Sequence, residues 1–316
     1  QKTVPIEPDG SFSVPFYVPP RGLEIEVVAI DEWNNRSRKS IKIVRNLDVK
    51  LKPVVFETLN PMNARGRPNP DAVAIIIGVE KYQNTSAAKY ADRDALVFSD
   101  YARRALGVRP ENIKLIVNRD ATRTSIQKAL KLWLPTIVTK GRSDVYFFFA
   151  GHGLASANGF ERYLLPYDAE TALLEDSALV LEDIIGTVSR TRPRSAVFFL
   201  DTCYSGGTRT GQTLVADARG IRIVAKASNL PKNFTVISAA GSDQISTILP
   251  EAKHGLFSYY LMKGLEGGAG FEAGGRVTTG ELHQYVADKV PKQAIRLGTD
   301  QRPQIYGELE MRVFSK

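Results

Sequence analysis

Two apolar segments of the sequence end in side chains that could do covalent chemistry. Residues 144–150 precede His152, and residues 195–200 precede Cys203, the single cysteine of the chain. A cysteine attacks a carbonyl carbon as its thiolate, and histidine is the base that most often holds it in that form. If both segments are parallel strands, their carboxyl ends meet at one edge of a sheet, where catalytic groups collect. The alternative for a lone cysteine is a buried structural residue. Because a histidine follows the other segment, the pattern instead predicts a nucleophilic Cys203 with His152 as its acid and base.

The strands and helices that must position these side chains can be predicted from about residue 71 onward. There, continuous apolar runs alternate with segments whose apolar residues recur at helical spacing. Continuous apolar runs are typical of strands covered on both faces. Strands separated by helices favour an α/β fold with a mostly parallel sheet flanked by helices. The predicted strands are 72–78, 113–117, 144–150, 195–200 and 233–240, and the predicted helices are 91–105, 122–139, 179–189, 255–265 and 279–289.

The first 60 residues differ from the rest of the chain. Residues 11–18, 23–31 and 40–45 alternate apolar and polar side chains and are separated by turn-forming residues, which predicts antiparallel strands. They resemble part of an immunoglobulin-like sandwich, too short to be a complete one. We therefore predict a β-rich partial immunoglobulin-like module over 1–60. A proline-containing linker follows over 61–70, and a catalytic domain covers 71–316.

Charge and the lengths of the apolar runs argue against two classes of function, nucleic-acid binding and membrane insertion. The net charge of +8 is spread without a nucleic-acid-binding motif, so no nucleic acid is expected as a partner. No apolar run reaches the ~18 residues needed to span a bilayer, so no membrane segment is expected. A β module of this kind favours an extracytoplasmic setting by analogy only. The chain begins at Gln1 without a methionine, which we interpret as a fragment or a processed form.

The motifs around the two reactive residues resemble those of the metacaspase and bacterial caspase-like branch of the caspase clan. That branch carries His-Gly after one apolar strand and Asp-x-Cys-x-Ser-Gly after a later one, which stand here as 152–153 and 201–206. His152 precedes Cys203 by about the ~50 residues known for caspases, although the Gln-Ala-Cys signature of true caspases is absent. The resemblance covers roughly residues 71–308. Further matching segments are 77–82, 90–95, 165–169, 237–240 and 254–261.

This resemblance implies a caspase-like fold and a cysteine peptidase, together with roles for particular residues. The backbone N–H groups of Gly153 and Cys203 would bind the oxyanion. Asp94 and Asp201 would bind the Lys or Arg side chain that precedes the cut bond. From the residues alone, Asp94 also fits a helix N-terminal carboxylate, and Asp201 a turn former at a strand end. The two other histidines are interpreted as a turn residue (His254) and a surface or packing residue (His283).

A long connection follows the nucleophile. Residues 207–232 are longer than most connections in a compact domain, and such loops are often functional. They contain cationic residues that the expected pocket would accept, namely Arg209, Arg219, Arg222 and Lys226. We interpret the loop as an autoprocessing or gating segment, with an uncleaved surface loop as the alternative.

The sequence thus predicts an endopeptidase that cuts protein or peptide substrates after Arg or Lys. One rival is a catalytically silent or latent caspase-like scaffold that binds partners through its surface. Another is an enzyme specific for aspartate, which the carboxylates of Asp94 and Asp201 disfavour. No cofactor and no metal site are expected. Some relatives depend on calcium, but no ligand cluster for it is found in the sequence.

Overall fold

The computed structural model describes most of the chain between residue 56 and the C-terminus and part of the N-terminal region. The described residues are 10–12, 18, 22–31, 33–44, 56–156, 161–203, 230–241, 244–270 and 275–315.

The described strands form one large sheet and four small ones. They are β1 Leu23–Ile30, β2 Arg36–Ile43, β3 Val73–Gly78, β4 Ile113–Val117, β5 Asp144–Ala150, β6 Gly153–Ala155, β7 Arg162–Leu164, β8 Leu179–Val180, β9 Ser195–Asp201, β10 Phe234–Ser238, β11 Ile248–Leu249, β12 His254–Gly255, β13 Arg276–Thr278, β14 Gln304–Gly307 and β15 Arg312–Ser315. The large sheet has the order β14-β10-β9-β5-β3-β4. Its neighbours are parallel except for β14, which runs antiparallel to β10. The predicted mostly parallel sheet is confirmed.

The helices lie in the connections between these strands. They are α1 Ala91–Arg104, α2 Arg123–Lys128, α3 Leu134–Ile137, α4 Leu174–Ser177, α5 Leu181–Arg190, α6 Leu256–Lys263 and α7 Thr279–Arg296. The predicted helix over 122–139 is present as α2 and α3, joined by wider turns over Ala129–Trp133. α7 begins with a capping box in which Thr278 and Glu281 bind each other's backbone N–H groups.

Aromatic residues of β5 and β9 pack on both faces of the sheet, because successive side chains of a strand point to opposite sides. On one face, Phe148 stacks on Phe98 of α1 with ring centroids 4.3 Å apart. On the other face, Phe147 packs against Phe198 at 5.3 Å. All four rings are fully buried. This explains the continuous apolar runs in the sequence, and it fixes the strands whose carboxyl ends carry the reactive residues.

The N-terminal region contains an antiparallel hairpin of β1 and β2. A turn in which Asp31 accepts hydrogen bonds from Asn35 and from the Trp33 N–H joins its strands. The second strand begins earlier than predicted, at Arg36. Most of the predicted strand over 11–18 lies outside the described residues.

Residues 56–70, which include the predicted linker, pack against the α/β domain that follows. The Phe56 ring meets Tyr259 of α6 edge-on at 5.7 Å. The Tyr259 hydroxyl donates to the carbonyl oxygen of Glu57 at 2.8 Å. The N–H of Gly66 donates to the carbonyl oxygen of Arg104 at 2.7 Å. We call residues 56–70 the strap.

Candidate active site

His152 and Cys203 follow neighbouring strands at the same edge of the sheet. In the parallel pair β5–β9, the last residues of the two strands, Ala150 and Asp201, lie opposite each other. His152 and Cys203 each follow two positions after these strand ends. The N–H of Gly151 donates to the carbonyl oxygen of Asp201 at 3.3 Å. The structure therefore brings together the two segments that the sequence singled out.

Gly153 brings the His152 segment into contact with the Cys203 segment. A Cβ atom at Gly153 would lie 2.5 Å from Oγ1 of Thr202 and 2.9 Å from the carbonyl oxygen of Cys203. Real Cβ atoms do not approach other atoms so closely, so only glycine fits without a shift. The backbone at Gly153 is thereby placed beside the nucleophile's own backbone, where the expected oxyanion donors lie.

His152 is buried and held by the loop that follows β3. Its backbone N–H donates to the Tyr82 hydroxyl at 2.7 Å, and its ring stacks on the Tyr82 ring with centroids 4.9 Å apart. Its Nε2 lies 2.9 Å from the carbonyl oxygen of Ser86. A carbonyl only accepts hydrogen bonds, so Nε2 carries the hydrogen in this contact. That leaves Nδ1 as the basic nitrogen of the neutral ring.

Cys203 is buried, with 4% of its surface exposed. The backbone N–H of Ser246 donates to its Sγ atom at 2.6 Å. Its Sγ atom also donates to the carbonyl oxygen of Ser246 at 3.9 Å. Ser246 itself is fully buried, and the segment that carries it covers Cys203 in this conformation.

Asp201 is fully buried and satisfied by hydroxyl and backbone donors. Oδ1 accepts from the Ser246 hydroxyl at 2.5 Å. Oδ2 accepts from both the hydroxyl and the backbone N–H of Ser258, the latter at 3.2 Å. Ser246 thus contacts Cys203 and Asp201 at once.

Asp94 is also fully buried, on α1. Its Oδ1 lies 2.7 Å from Nδ1 of His254, and its carboxylate accepts the Gly255 N–H at 3.0 and 3.3 Å. His254, interpreted from the sequence as a turn residue, is the buried partner of this carboxylate.

Both carboxylates therefore bind the first turn of α6. Gly255 is the residue before the helix and Ser258 is its third residue, so the N–H groups that Asp94 and Asp201 accept are ones that a helix leaves unpaired. The positive end of the helix dipole stabilises the two negative charges. The structure places both predicted pocket residues together, beside the segment that covers Cys203.

A second carboxylate pair supports the loop that holds His152. Burial and the neighbouring Asp92 raise the pKa of Glu80 to about 7. Burial opposes ionisation of Asp92, but hydrogen bonds from Glu80 and Asn118 lower its pKa. Asn118 donates to Asp92 at 2.8 Å and accepts the N–H of Glu80 at 3.0 Å. We call Glu80, Asp92 and Asn118 the clasp.

The other predicted features have these positions. The candidate cleavage residues Arg209, Arg219, Arg222 and Lys226 lie outside the described residues. Within the described ranges, no group of three or more His, Cys, Asp or Glu could hold a metal ion. Nε2 of His283 donates to the Pro303 carbonyl oxygen at 3.2 Å, and burial lowers the pKa of His283. None of the helices in the described part of the chain is long and apolar enough to cross a membrane.

Sequence reasoning missed several residues of the site. Tyr82 lies in a segment that matched the family motifs, but no role was predicted for it. Ser246, Ser258 and His254 lie 43 to 160 positions from the residues they contact. No local pattern in the sequence pointed to those contacts.

Comparisons with known proteins bear on the family and the fold. The family model named Caspase domain matches residues 71–314. The crystal structure of a protein from Geobacter sulfurreducens superposes with a TM-score of 0.52 at 16% identity, covering 75% of this chain and 93% of that one. Caspase-1 from Spodoptera frugiperda gives a TM-score of 0.48 at 14% identity, covering 83% and 96%. No curated protein is significantly similar to the chain.

The Geobacter likeness shows the fold alone, because the identity is low. The family match covers well over half of the chain and includes both segments that carry the reactive residues. The chain belongs to the Caspase domain family, a family of cysteine peptidases that act on proteins.

Proposed function

We propose that this protein is a cysteine endopeptidase in which Cys203 and His152 form the catalytic dyad, and that it cleaves after Arg or Lys. The observation that carries the dyad is the register of β5 and β9, which sets Ala150 opposite Asp201. The two residues that follow each strand end then share one edge, with Gly153 in contact with the backbone of Cys203.

In the proposed reaction, the Cys203 thiolate attacks the scissile carbonyl carbon and a sulfur–carbon bond forms. Nδ1 of His152 has first taken the proton of the Cys203 thiol, which forms this thiolate. The electron pair of the carbonyl moves to its oxygen and returns as the carbon–nitrogen bond breaks, and the departing amine takes the proton from Nδ1. Water then attacks the thioester and gives a proton to the same nitrogen. The acid product leaves and the thiolate is restored.

The oxyanion formed in each step needs fixed donors. The backbone N–H groups of Gly153 and Cys203 serve this role in our proposal, because the glycine lets the two backbones approach closely. Donors that are fixed before the reaction stabilise the developing charge without reorganisation.

The preference for Arg or Lys rests on Asp94 and Asp201. Two carboxylates that both contact the first turn of α6 are suited to bind a guanidinium or ammonium group. Both have no exposed surface here, since Ser246, Ser258 and His254 occupy them. In our proposal the segment that carries Ser246 moves aside when substrate binds, which frees Cys203 and Asp201 together.

Autoprocessing in the 207–232 loop follows from the same preference, because Arg209, Arg219, Arg222 and Lys226 are residues that this pocket accepts. Intact-mass measurement of the wild-type protein and of Cys203→Ala tests it under the same conditions. Autoprocessing predicts fragments from the wild type only. If both proteins stay intact, this part of the proposal is wrong.

The closed site also favours a second candidate, a latent or silent caspase-like scaffold. Cys203 is 4% exposed and both pocket carboxylates are sealed. A scaffold needs only the fold and a binding surface, whereas an enzyme must open this site.

Labelling with peptidyl chloromethyl ketones that end in Arg or Asp distinguishes the two candidates, with and without calcium. The peptidase predicts that the Arg reagent alkylates Cys203, located by mass spectrometry, while His152→Ala reacts far more slowly. Labelling by the Asp reagent alone would support the Cys203–His152 dyad and contradict the proposed preference for Arg or Lys. No labelling of Cys203 under any condition would favour the scaffold.

A further inference from the structure

Tyr82 contacts His152 in two independent ways. The hydroxyl accepts the His152 backbone N–H at 2.7 Å, and the aromatic ring stacks on the imidazole at 4.9 Å with 30° between the planes. Tyr82 is 9% exposed. One side chain therefore fixes both the backbone and the ring of the histidine.

The loop after β3 holds Tyr82 firmly enough for this role. The Val79 N–H donates to the carbonyl oxygen of Ala150, and the Gln83 N–H donates to that of Tyr167, both at 2.9 Å. A Cβ atom at Gly151 would lie 2.6 Å from the Tyr82 hydroxyl, so the glycine admits the phenol beside the catalytic edge. The same loop supplies the Ser86 carbonyl that binds Nε2.

The stacked ring also distinguishes between the two forms of the histidine. The face of an aromatic ring is negative, and it attracts a cation placed over it. An imidazolium on the Tyr82 face is therefore favoured over a neutral imidazole. The hydroxyl contact does not depend on this charge, because it involves the backbone of His152.

We propose that Tyr82 is a positioning residue for the dyad: its hydroxyl fixes the backbone of His152, and its ring orients the imidazole and stabilises it in the protonated form. The proposal rests on the proposed peptidase function for its catalytic meaning. The contacts between Tyr82 and His152, and their effect on the protonation of the imidazole, do not depend on that function.

Two substitutions separate the contributions of Tyr82. Tyr82→Phe keeps the ring and removes the acceptor for the His152 N–H. Tyr82→Leu removes both. Tyr101→Phe is the matched control, because Tyr101 is a buried tyrosine bonded to Glu266, away from the dyad.

The first measurement does not require activity. In a Cys203→Ala background, the imidazole signals of the three histidines are followed by NMR against pH. Tyr82→Leu is expected to move the His152 titration midpoint to lower pH by about 0.5 pH unit. Tyr82→Phe and Tyr101→Phe are expected to leave that midpoint in place. An unchanged midpoint in folded Tyr82→Leu overturns the proposal. Should the leucine variant not fold, Tyr82→Met is the second variant, and the same criterion applies.

The second measurement uses Arg peptides and the active protein. We expect kcat to fall about tenfold in Tyr82→Leu and about threefold in Tyr82→Phe, with KM nearly unchanged, since a misplaced acid–base group slows chemistry more than binding. Equal kcat in wild type and Tyr82→Leu contradicts the positioning role. A wild type that cleaves nothing, together with a shifted midpoint in Tyr82→Leu, contradicts the peptidase function and supports the Tyr82–His152 contact.

Discussion

Asp94 and His254 form a buried pair, with Oδ1 and Nδ1 2.7 Å apart and almost no exposed surface on either side chain. They belong to different elements, α1 and the residues just before α6. The contact therefore ties α1 to the residues that precede α6. In the proposed enzyme, a substrate cation that reaches Asp94 meets a carboxylate already paired with a histidine.

Asp94→Asn tests the pocket. The substitution keeps the shape of the side chain and removes the charge that would bind the substrate cation, so kcat/KM for Arg and Lys peptides should fall at least tenfold. Most of the loss should appear in KM. Asp100→Asn is the matched control, because Asp100 is an exposed carboxylate of the same helix whose ion-pair partner is Arg103. Equal losses in both variants would contradict a pocket role for Asp94.

Gly153→Ala tests the close approach of the two reactive segments. The new Cβ would overlap Thr202 and the backbone of Cys203, so the segments must separate. We expect a loss of about 1–3 kcal/mol in the free energy of unfolding. We also expect a fall of about 100-fold in turnover, since a displacement of about 1 Å is enough for such a loss.

Gly186→Ala provides the comparison for this glycine. Gly186 lies in α5, and its added Cβ would meet only Arg190, at 3.7 Å. Alanine in a helix interior is more favourable than glycine by about 0.5–1 kcal/mol, so this variant should be slightly more stable and equally active. Unfolding in urea and turnover are measured for both variants. A fully active Gly153→Ala protein would contradict the arrangement.

The clasp predicts how stability depends on pH. Burial and Asp92 raise the pKa of Glu80 from 4.5 to about 7 in the folded protein. As pH rises from 4.5 to 7, the unfolded chain has already released this proton while the folded chain still holds it. The free energy of unfolding therefore falls as pH rises through that interval. Above about pH 7, Glu80 causes no further fall. Because Glu80 is partly in contact with water, which screens its charge, we expect a loss of about 1 kcal/mol.

Glu80→Gln keeps the side chain neutral and should remove this loss. The free energy of unfolding from urea titrations at pH 4.5 and 7.5 gives the comparison. Between pH 4.5 and pH 7.5, the free energy of unfolding should fall by about 1 kcal/mol less in Glu80→Gln than in the wild type. The same difference in both proteins would show that Glu80 does not titrate with a raised pKa.

Removal of the strap should destabilise the catalytic domain. Besides the Gly66 contact, the Asn69 N–H donates to the Gly107 carbonyl oxygen at 2.9 Å. The Asn69 side chain donates to Asp144 at 2.8 Å, and Ala64 is buried. At roughly 1 kcal/mol for each hydrogen bond, a chain that starts at residue 71 should be about 2–4 kcal/mol less stable than one that starts at residue 56. Equal urea midpoints would show that these residues act as a free linker.

Much of the fold was predictable from the sequence because its signals are local. The apolar runs of β3, β5 and β9 predict strands buried on both faces, and these strands have that burial. Their ends pointed to His152 and Cys203, since a reactive side chain followed by glycine is visible within a few residues. The antiparallel edge strand β14 was missed, because four residues with mixed burial carry little periodicity.

The contacts that shape the site were not predictable in the same way. Tyr82 lies 70 positions from His152, and Asp94 lies 160 positions from His254. Such contacts join residues that follow different strands and helices, and no single segment of the sequence encodes them. The sequence could name Asp94 and Asp201 through family motifs, but it could not show that both bind the first turn of α6.

The central claim is tested most directly by peptide hydrolysis with the purified chain and its Cys203→Ala variant. Matched fluorogenic peptides that end in Arg, Lys or Asp are used, each with and without calcium. The account predicts cleavage after Arg and Lys by the wild type and none by Cys203→Ala. Cleavage by both proteins, or no cleavage after Arg or Lys in any condition, would contradict it.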